Sequence, residues 1–285
     1  MEHIIRTRIA PTPSGYLHLG NAFNFLLTEA LVREKAGTLR LRIDDLDAPR
    51  VLLEYLKDIF ETLHWLGISP DFGPENVEEQ QSFFAQQLRM DAYRKMLDKL
   101  VATGSVFACD CSRKDILQKT TDGQYPGTCR DKNIPLNMPE VAWRIQTNPG
   151  DVVEWEDAIL GNQRMELFYE NRDFVIRRRD ALPAYHVASL SDDHFYKINL
   201  IVRGADLLQS TAAQLFLARM LGLQDFIDCK FYHHPLIPDE TGEKLSKSAG
   251  SLSLMQMRKQ GISAKEVKSR FKDWSHAFLY NMRQD

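Results

Sequence analysis

No run of eighteen apolar residues occurs in the 285-residue chain, and its first residues lack the charged-then-apolar pattern of a secretory signal. The sequence therefore predicts a cytoplasmic protein with no membrane span. Net charge is only −3 and the isoelectric point about 6.3, so there is no global basic field and any nucleic-acid contact must come from local patches. Cysteine is scarce, at four residues, which suits a metal site better than a disulfide framework in a cytosolic chain of this size. Internal repeats and low-complexity segments are missing, which excludes solenoids and disordered tails. Two phosphate-binding fingerprints are absent too. Gly15 and Gly20 have P-loop spacing, but Asn21-Ala22 stands where Lys and Ser/Thr are required, and no G-x-G-x-x-G is found.

What is present is ordinary in bulk, 44% hydrophobic and 26% charged, enough for one large or two smaller domains with an ample core. Residues 4 to 10 (IIRTRIA) read as a strand, Asn21 to Lys35 as a helix stopped before Gly37, and "TLRLRIDDLD" as a second strand delivering acids at its C-terminal end. That is a βαβ unit, whose ligands sit outside the carboxyl ends of the strands. Leu52 to Leu63 predicts an amphipathic helix ended near Gly67, and a continuous helix is expected from about Gln81 to Thr103. Beyond Gly104 come short strand-like pieces (VAWRIQ, DVVEWED, RMELFYE, FVIRRRD) behind a cysteine cluster, with the texture of an insertion. Helical pattern returns at 184 to 190, a strand at "INLIVRG" and a helix at 211 to 221. "FYHHPLIPDETGEKLSKSAGS" then predicts a polar loop before two closing helical stretches. The expected organisation is residues 1–104 and 184–250 as two halves of one α/β domain, 105–183 as the insertion and 251–285 as a C-terminal helical segment.

The histidine in "RIAPTPSGYLHLGN" sits at a strand-to-helix turn, where helix N-terminal N–H groups can approach a phosphate and an imidazole can add a proton-donating contact. Cys109, Cys111 and Cys129 offer three thiolates, sufficient for structural zinc with one more ligand; spacing alone leaves Asp115, Asp122 and Cys229 as candidates for the fourth. Arg177 to Arg179, and Lys265, Lys268, Arg270 and Lys272 on the last helix, are the local basic patches.

"HLGN" (18 to 21) and "KLSKS" (244 to 248) resemble the HIGH and KMSKS signatures of class I aminoacyl-tRNA synthetases, about 225 residues apart. "RIAPTPSGYLHLGNAF", "LRLRIDDLD", "PAYHVASLSDDH" and "IVRGADLL" resemble the glutamyl branch in particular. Only 37 residues follow Ser248, where glutamyl- and glutaminyl-tRNA synthetases continue into an anticodon-binding region. Cys109-x-Cys111 with Tyr125-x-x-x-Cys129 matches the glutamyl-queuosine tRNA(Asp) synthetases, their truncated relatives.

That resemblance implies a Rossmann-like class I catalytic domain with an inserted zinc-containing α+β subdomain and no anticodon-binding domain. It implies tRNA-independent activation of glutamate by ATP with Mg2+, then transfer to queuosine at the wobble position of tRNA(Asp), by a monomer. His18, Gly20 and Asn21 are implied at the ATP phosphates, with Lys244 and Lys247 neutralising pyrophosphate. Arg8 is implied on a substrate carboxylate, Ala10 and Thr12 in the pocket wall, Tyr185 and Arg203 on the side-chain carboxylate, and Asp44 on the ammonium. Tyr125 is implied as the fourth zinc ligand, with Zn2+ bracing the insertion. Asn21 replaces the signature's final His, and Asp44 stands where glutamyl members usually carry Glu. Asp192-Asp193 is expected either to orient Tyr185 and Arg203 or to be a plain helix-end pair, and His233-His234 to be loop residues near ATP. Three rival readings are a truncated paralogue loading another acceptor, an inactive RNA-binding descendant and a nucleotidyltransferase outside aminoacylation.

Overall fold

A computed structural model of the protein describes residues 4–46, 52–237 and 252–282. The strands are β1 (Arg6–Ile9), β2 (Thr38–Leu41), β3 (Val106–Cys109), β4 (Ala142–Ile145), β5 (Val152–Asp157), β6 (Gly161–Glu166), β7 (Val175–Arg177), β8 (Leu200–Gly204) and β9 (Lys230–His234). The helices are α1 (Leu19–Glu34), α2 (Leu53–Leu66), α3 (Val77–Glu79), α4 (Met90–Ala102), α5 (Arg113–Leu117), α6 (Leu167–Glu170), α7 (Tyr185–Phe195), α8 (Leu208–Leu221), α9 (Gln224–Ile227), α10 (Leu254–Lys259) and α11 (Ala264–Met282).

The βαβ unit is present: β1 and β2 pair in parallel, Arg6 opposite Thr38 and Ile9 opposite Leu41, with α1 between them in sequence. Backbone and side-chain hydrogen bonds join β1 to the start of β8. Asn199 Oδ1 accepts from the Arg6 N–H, the Asn199 N–H donates to the Arg6 carbonyl, and Thr7 Oγ1 donates to the Leu200 carbonyl. β8 and β9 run parallel in a sheet of order β6-β5-β9-β8. The C-terminal ends of β1 and β8 thus lie side by side, where an α/β sheet presents its ligand. One core packs α1, α2, β1 and β2 under α10 and α11, and a larger one joins α4, α7 and α8 to β5 and β9.

The strands of 105–183, the stretch expected as an insertion, divide between two sheets: β3, β4 and β7 make their own antiparallel sheet, while the β5–β6 hairpin is hydrogen-bonded into the sheet of β8 and β9. Two expectations differ from the structure. The helix expected from Gln81 is broken into a π turn over Gln80–Phe84 that continues the short α3, a 3-10 turn over Gln86–Arg89, and α4. Tertiary bonds win here over helical periodicity: Asp45 accepts from Gln80 Nε2 and from the Gln86 N–H, and Gln86 Oε1 accepts from the Leu46 N–H. Lastly, "FYHH" is the inner strand β9, with His233 and His234 both buried, and not part of a loop. Among the described residues, no helix is long and apolar enough to cross a membrane.

Candidate active site

His18 caps α1. Its Nδ1 accepts the Gly20 N–H at 3.1 Å while Asn21 Oδ1 accepts the His18 N–H at 3.0 Å, a reciprocal capping box made from an unusual residue pair. With Nδ1 accepting, the ring proton is assigned to Nε2. Gly20 permits this fold of the ring over the helix start, since a Cβ there would stand 2.9 Å from His18 Cε1. Asn21 therefore has a structural duty that the motif comparison did not reveal.

A cavity of about 480 Å³ opens at this turn and along the ends of β1 and β8. Of the residues named from sequence, Arg8, Ala10, Thr12, His18, Gly20, Asn21, Tyr185 and Arg203 all line it. Asp44 does not. It stands beside the wall, its N–H donating to the carbonyl of the cavity residue Pro11, and both its oxygens accept from Arg42, at 2.7 and 3.1 Å. Burial pushes the Asp44 carboxyl up while Arg42 draws it down. Lys244 and Lys247 lie outside the described residues. Asp206 lines the cavity without having been assigned there from sequence, and His234, expected near ATP, lines it too, from a strand and not from a loop. His234 Nε2 bonds Asn24 Nδ2, and its ring meets Trp274 of α11 edge-on.

Behind the cavity lies a buried ion cluster. Asp193 Oδ1 accepts from Arg8 Nε at 2.9 Å and from Arg42 Nη1 at 2.6 Å, and its Oδ2 stands 3.8 Å from Arg203 Nη2. Burial alone would raise the Asp193 carboxyl, but the three guanidinium groups outweigh it and hold it below the ordinary carboxylate value. Asp192 serves a second set, accepting from Arg89, Gln86 and Tyr93. The pair is thus structural wiring for the arginines. Arg203 is 4% exposed, yet its Nε and Nη2 have no hydrogen-bond partner. Buried guanidinium donors left open at a cavity wall are costly unless a ligand fills them.

Burial, reinforced by Arg203, lowers His186 from its usual 6.5 to about 4. The unfolded chain takes up a proton there below about pH 6.5, whereas the folded chain refuses it until about 4. The stability this residue contributes is therefore present above pH 6.5 and is lost as pH falls from there toward 4. Denaturation midpoints measured across that window should fall less steeply for His186→Gln than for the natural chain; equal slopes would contradict the assignment.

The sulfur atoms of Cys109, Cys111 and Cys129 lie within 4.8 Å of one another. Burial, and then the adjoining Cys129 and Cys109, push the Cys111 thiol up to about 12. Tyr125 Oη is at the cluster, accepting the Cys129 N–H at 2.7 Å, with the Arg144 guanidinium over its ring. The three candidates from spacing lie elsewhere. Asp115 accepts the N–H of Ser112, the N-cap of α5, Asp122 accepts the Gln124 N–H, and Cys229 is buried in another core, donating to the Ile198 carbonyl. Asp110, not considered from sequence, places Oδ1 3.1 Å from Cys129 Sγ. The RRR patch is partly engaged: Arg178 bonds Asp180 and Arg179 the Glu140 carbonyl. Lys265, Lys268, Arg270 and Lys272 are exposed on α11.

Residues 4–269 match the family of class I tRNA synthetases (E and Q), catalytic domain. The glutamyl-Q tRNA(Asp) synthetase of Nitratidesulfovibrio vulgaris is 35% identical over 279 residues, 93% of this chain and 84% of that protein. The chain belongs to that family. This ligase is also 38% identical to the glutamyl-Q tRNA(Asp) synthetase of Burkholderia cenocepacia, over 87% of its own length and 82% of the relative's. Its α/β fold is that of a class I synthetase catalytic domain. The glutamate-tRNA synthetase of Elizabethkingia anophelis superposes with a TM-score of 0.73 at 24% identity, over 91% of this chain and 54% of that one. The ligase thus spans about half the length of such full synthetases.

Proposed function

We propose that the chain activates glutamate with ATP without needing tRNA and transfers it to queuosine at the wobble position of tRNA(Asp). The observation that carries this reading is the Arg203 edge. Arg203, with two guanidinium nitrogens that lack hydrogen-bond partners, shares one cavity with Arg8, Tyr185 and the capped His18 turn, so a dicarboxylic amino acid and a nucleotide phosphate have their counter-charges a short distance apart. The names of the relatives supply the acceptor.

In this reading Arg203 and Tyr185 hold the side-chain carboxylate, Arg8 holds the reacting one, and Ala10 and Thr12 shape the wall. Asp44, kept in place by Arg42, meets the ammonium. A glutamate α-carboxylate oxygen attacks the α-phosphorus of ATP, a P–O bond to pyrophosphate breaks, and glutamyl-adenylate remains. Negative charge grows on the phosphate oxygens, so catalysis is mostly positioning and electrostatic stabilisation. His18, through Nε2–H, and the α1 N-terminus with Gly20 and Asn21 face that charge. Lys244 and Lys247 neutralise the leaving pyrophosphate, as lysine point charges suit phosphate, and Mg2+ accompanies ATP. Residues 1–104 and 184–250 act as one catalytic body, with 105–183 inserted and no anticodon-binding domain required, because the acceptor is itself an anticodon base reaching the cavity of a monomer.

Zn2+ fits the cysteine cluster: three thiols are close enough to share one ion, and Tyr125 Oη completes a four-ligand set. Its chemistry there is structural, fixing β3 against the following loop. Cys111→Ser is expected to release about one zinc per chain and to lower the melting temperature by several degrees. Metal analysis finding no zinc in the natural chain would remove this part of the reading.

The deciding experiment offers radiolabelled glutamate and ATP with two bulk tRNA pools, one containing queuosine and one from cells unable to make it. Label on the queuosine pool alone is expected. Label on both pools would indicate 3′-end charging by a shortened synthetase and overturn the acceptor assignment.

A further inference from the structure

Arg203 makes its hydrogen bond at one atom only, with Nη2 a further 3.8 Å ion-pair contact from Asp193 Oδ2. Its Nη1 donates to Thr211 Oγ1 at 3.1 Å, Thr211 Oγ1 lies 2.8 Å from His233 Nε2, and His233 Nδ1 lies 2.5 Å from Asp157 Oδ2. Four elements contribute one residue each: β8, α8, β9 and β5. Thr211, His233 and Asp157 are buried to within 1% of complete, so no water competes for these bonds.

The arginine end fixes the direction of every proton. Arginine can only donate, so Thr211 Oγ1 accepts from it and sends its own hydrogen to His233 Nε2. His233 then carries its proton on Nδ1 and donates to Asp157. The aspartate is held in turn by the N–H groups of Ile159, Leu160 and His233. All atoms of the relay are satisfied in this order, and in the reverse order the Thr211 hydroxyl hydrogen has no acceptor. Nε and Nη2 lie together on the opposite edge of the planar guanidinium, and those are the two atoms without a hydrogen bond, Asp193 Oδ2 standing 3.8 Å from Nη2. A side-on edge of that kind binds a carboxylate through two parallel hydrogen bonds.

We propose that Thr211, His233 and Asp157 are positioning residues that hold the Nε/Nη2 edge of Arg203 toward the carboxylate of the amino-acid substrate. This rests on Arg203 being the carboxylate ligand, as proposed above. It also gives the β5–β6 hairpin a function, since Asp157, from the stretch expected as a separate insertion, is the fixed end of the relay. Pre-organisation matters because a guanidinium free to rotate must be ordered by the substrate, at a cost taken from affinity.

The test is glutamate-dependent pyrophosphate exchange by the full chain. Thr211→Val removes the hydroxyl at nearly constant shape. It should raise the KM for glutamate about tenfold, with kcat and the KM for ATP within about twofold of the natural enzyme. Thr211→Ser restores the acceptor and should bring the glutamate KM back. A general packing defect would move both KM values and would not be rescued by serine. Should Thr211→Val fail to fold, Asp157→Asn serves instead: its amide presents N–H groups to His233 Nδ1, reverses the proton order and should give a smaller split in the same direction. A glutamate KM unchanged in the folded Thr211→Val chain, with Arg203→Ala strongly impaired, would overturn the relay alone. Unchanged glutamate KM in both variants would overturn the carboxylate reading and the relay with it.

Discussion

Arg203→Ala is expected to lower kcat/KM for glutamate by about 10²- to 10³-fold, almost all of it through KM. A bidentate pair to a carboxylate is two charge-assisted hydrogen bonds, each contributing about 1.5 to 3 kcal/mol in a desolvated site; part is recovered when water enters the space left behind. The side-chain carboxylate does not change charge during adenylate formation, so Arg203 binds ground and transition states alike and its loss appears in KM. Arg203→Lys should recover only a fraction, because an ammonium keeps the charge but lacks the fork that Thr211 orients. The KM for ATP should be unaffected, since the phosphate side of the cavity is built from the α1 turn. Pyrophosphate exchange measured over a wide glutamate range checks all three. A glutamate KM within twofold of the natural enzyme would remove Arg203 from the site.

How much of this was visible in the sequence differs with the range of the interaction. The βαβ unit and the turn at His18 are local features of regular elements, which period and spacing locate well; Arg8, Ala10, Thr12, Tyr185 and Arg203 are placed only by the resemblance of their segments to the family's. Asp44 marks the limit of that method. Its position at the end of "LRLRID" was legible, but its capture by Arg42 depends on an alternating strand register and on α7 closing over both. His233 was misjudged for a similar reason. "FYHH" offers two polar rings to a hydropathy pattern and so suggests a loop, whereas Asp157, 76 residues away, makes His233 a satisfied core residue. Asp110 carries no signal in the cysteine spacing, since only the fold of the loop brings it against Cys129. Long-range polar pairing leaves no period in the sequence, and most of what positions the site here is long-range polar pairing.

Asp193→Ala is expected to destabilise the chain by about 3 to 5 kcal/mol, the range for removing one partner from a buried ion cluster. The residue is fully buried, and it is the shared acceptor of Arg8 and Arg42 with Arg203 close by. Alanine would leave these guanidinium groups facing one another, with only Asp44 and Asp192 nearby to offset them, and neither can move without abandoning its own partners. Against a total stability of about 5 to 15 kcal/mol for a typical domain, that loss would bring the chain near its unfolding threshold. Asp193→Asn keeps an acceptor but no charge, so a smaller loss is expected. The pH dependence separates charge from shape. The Asp193 carboxyl is held below its ordinary value when folded, so its contribution is present above about pH 4 and is lost as pH falls through the depressed folded value. The natural chain should therefore lose stability into acid more steeply than Asp193→Asn does. Urea midpoints at neutral and acidic pH measure both effects, and a loss below about 1 kcal/mol for alanine would mean that water reaches the cluster and that the arginines around the cavity do not depend on Asp193.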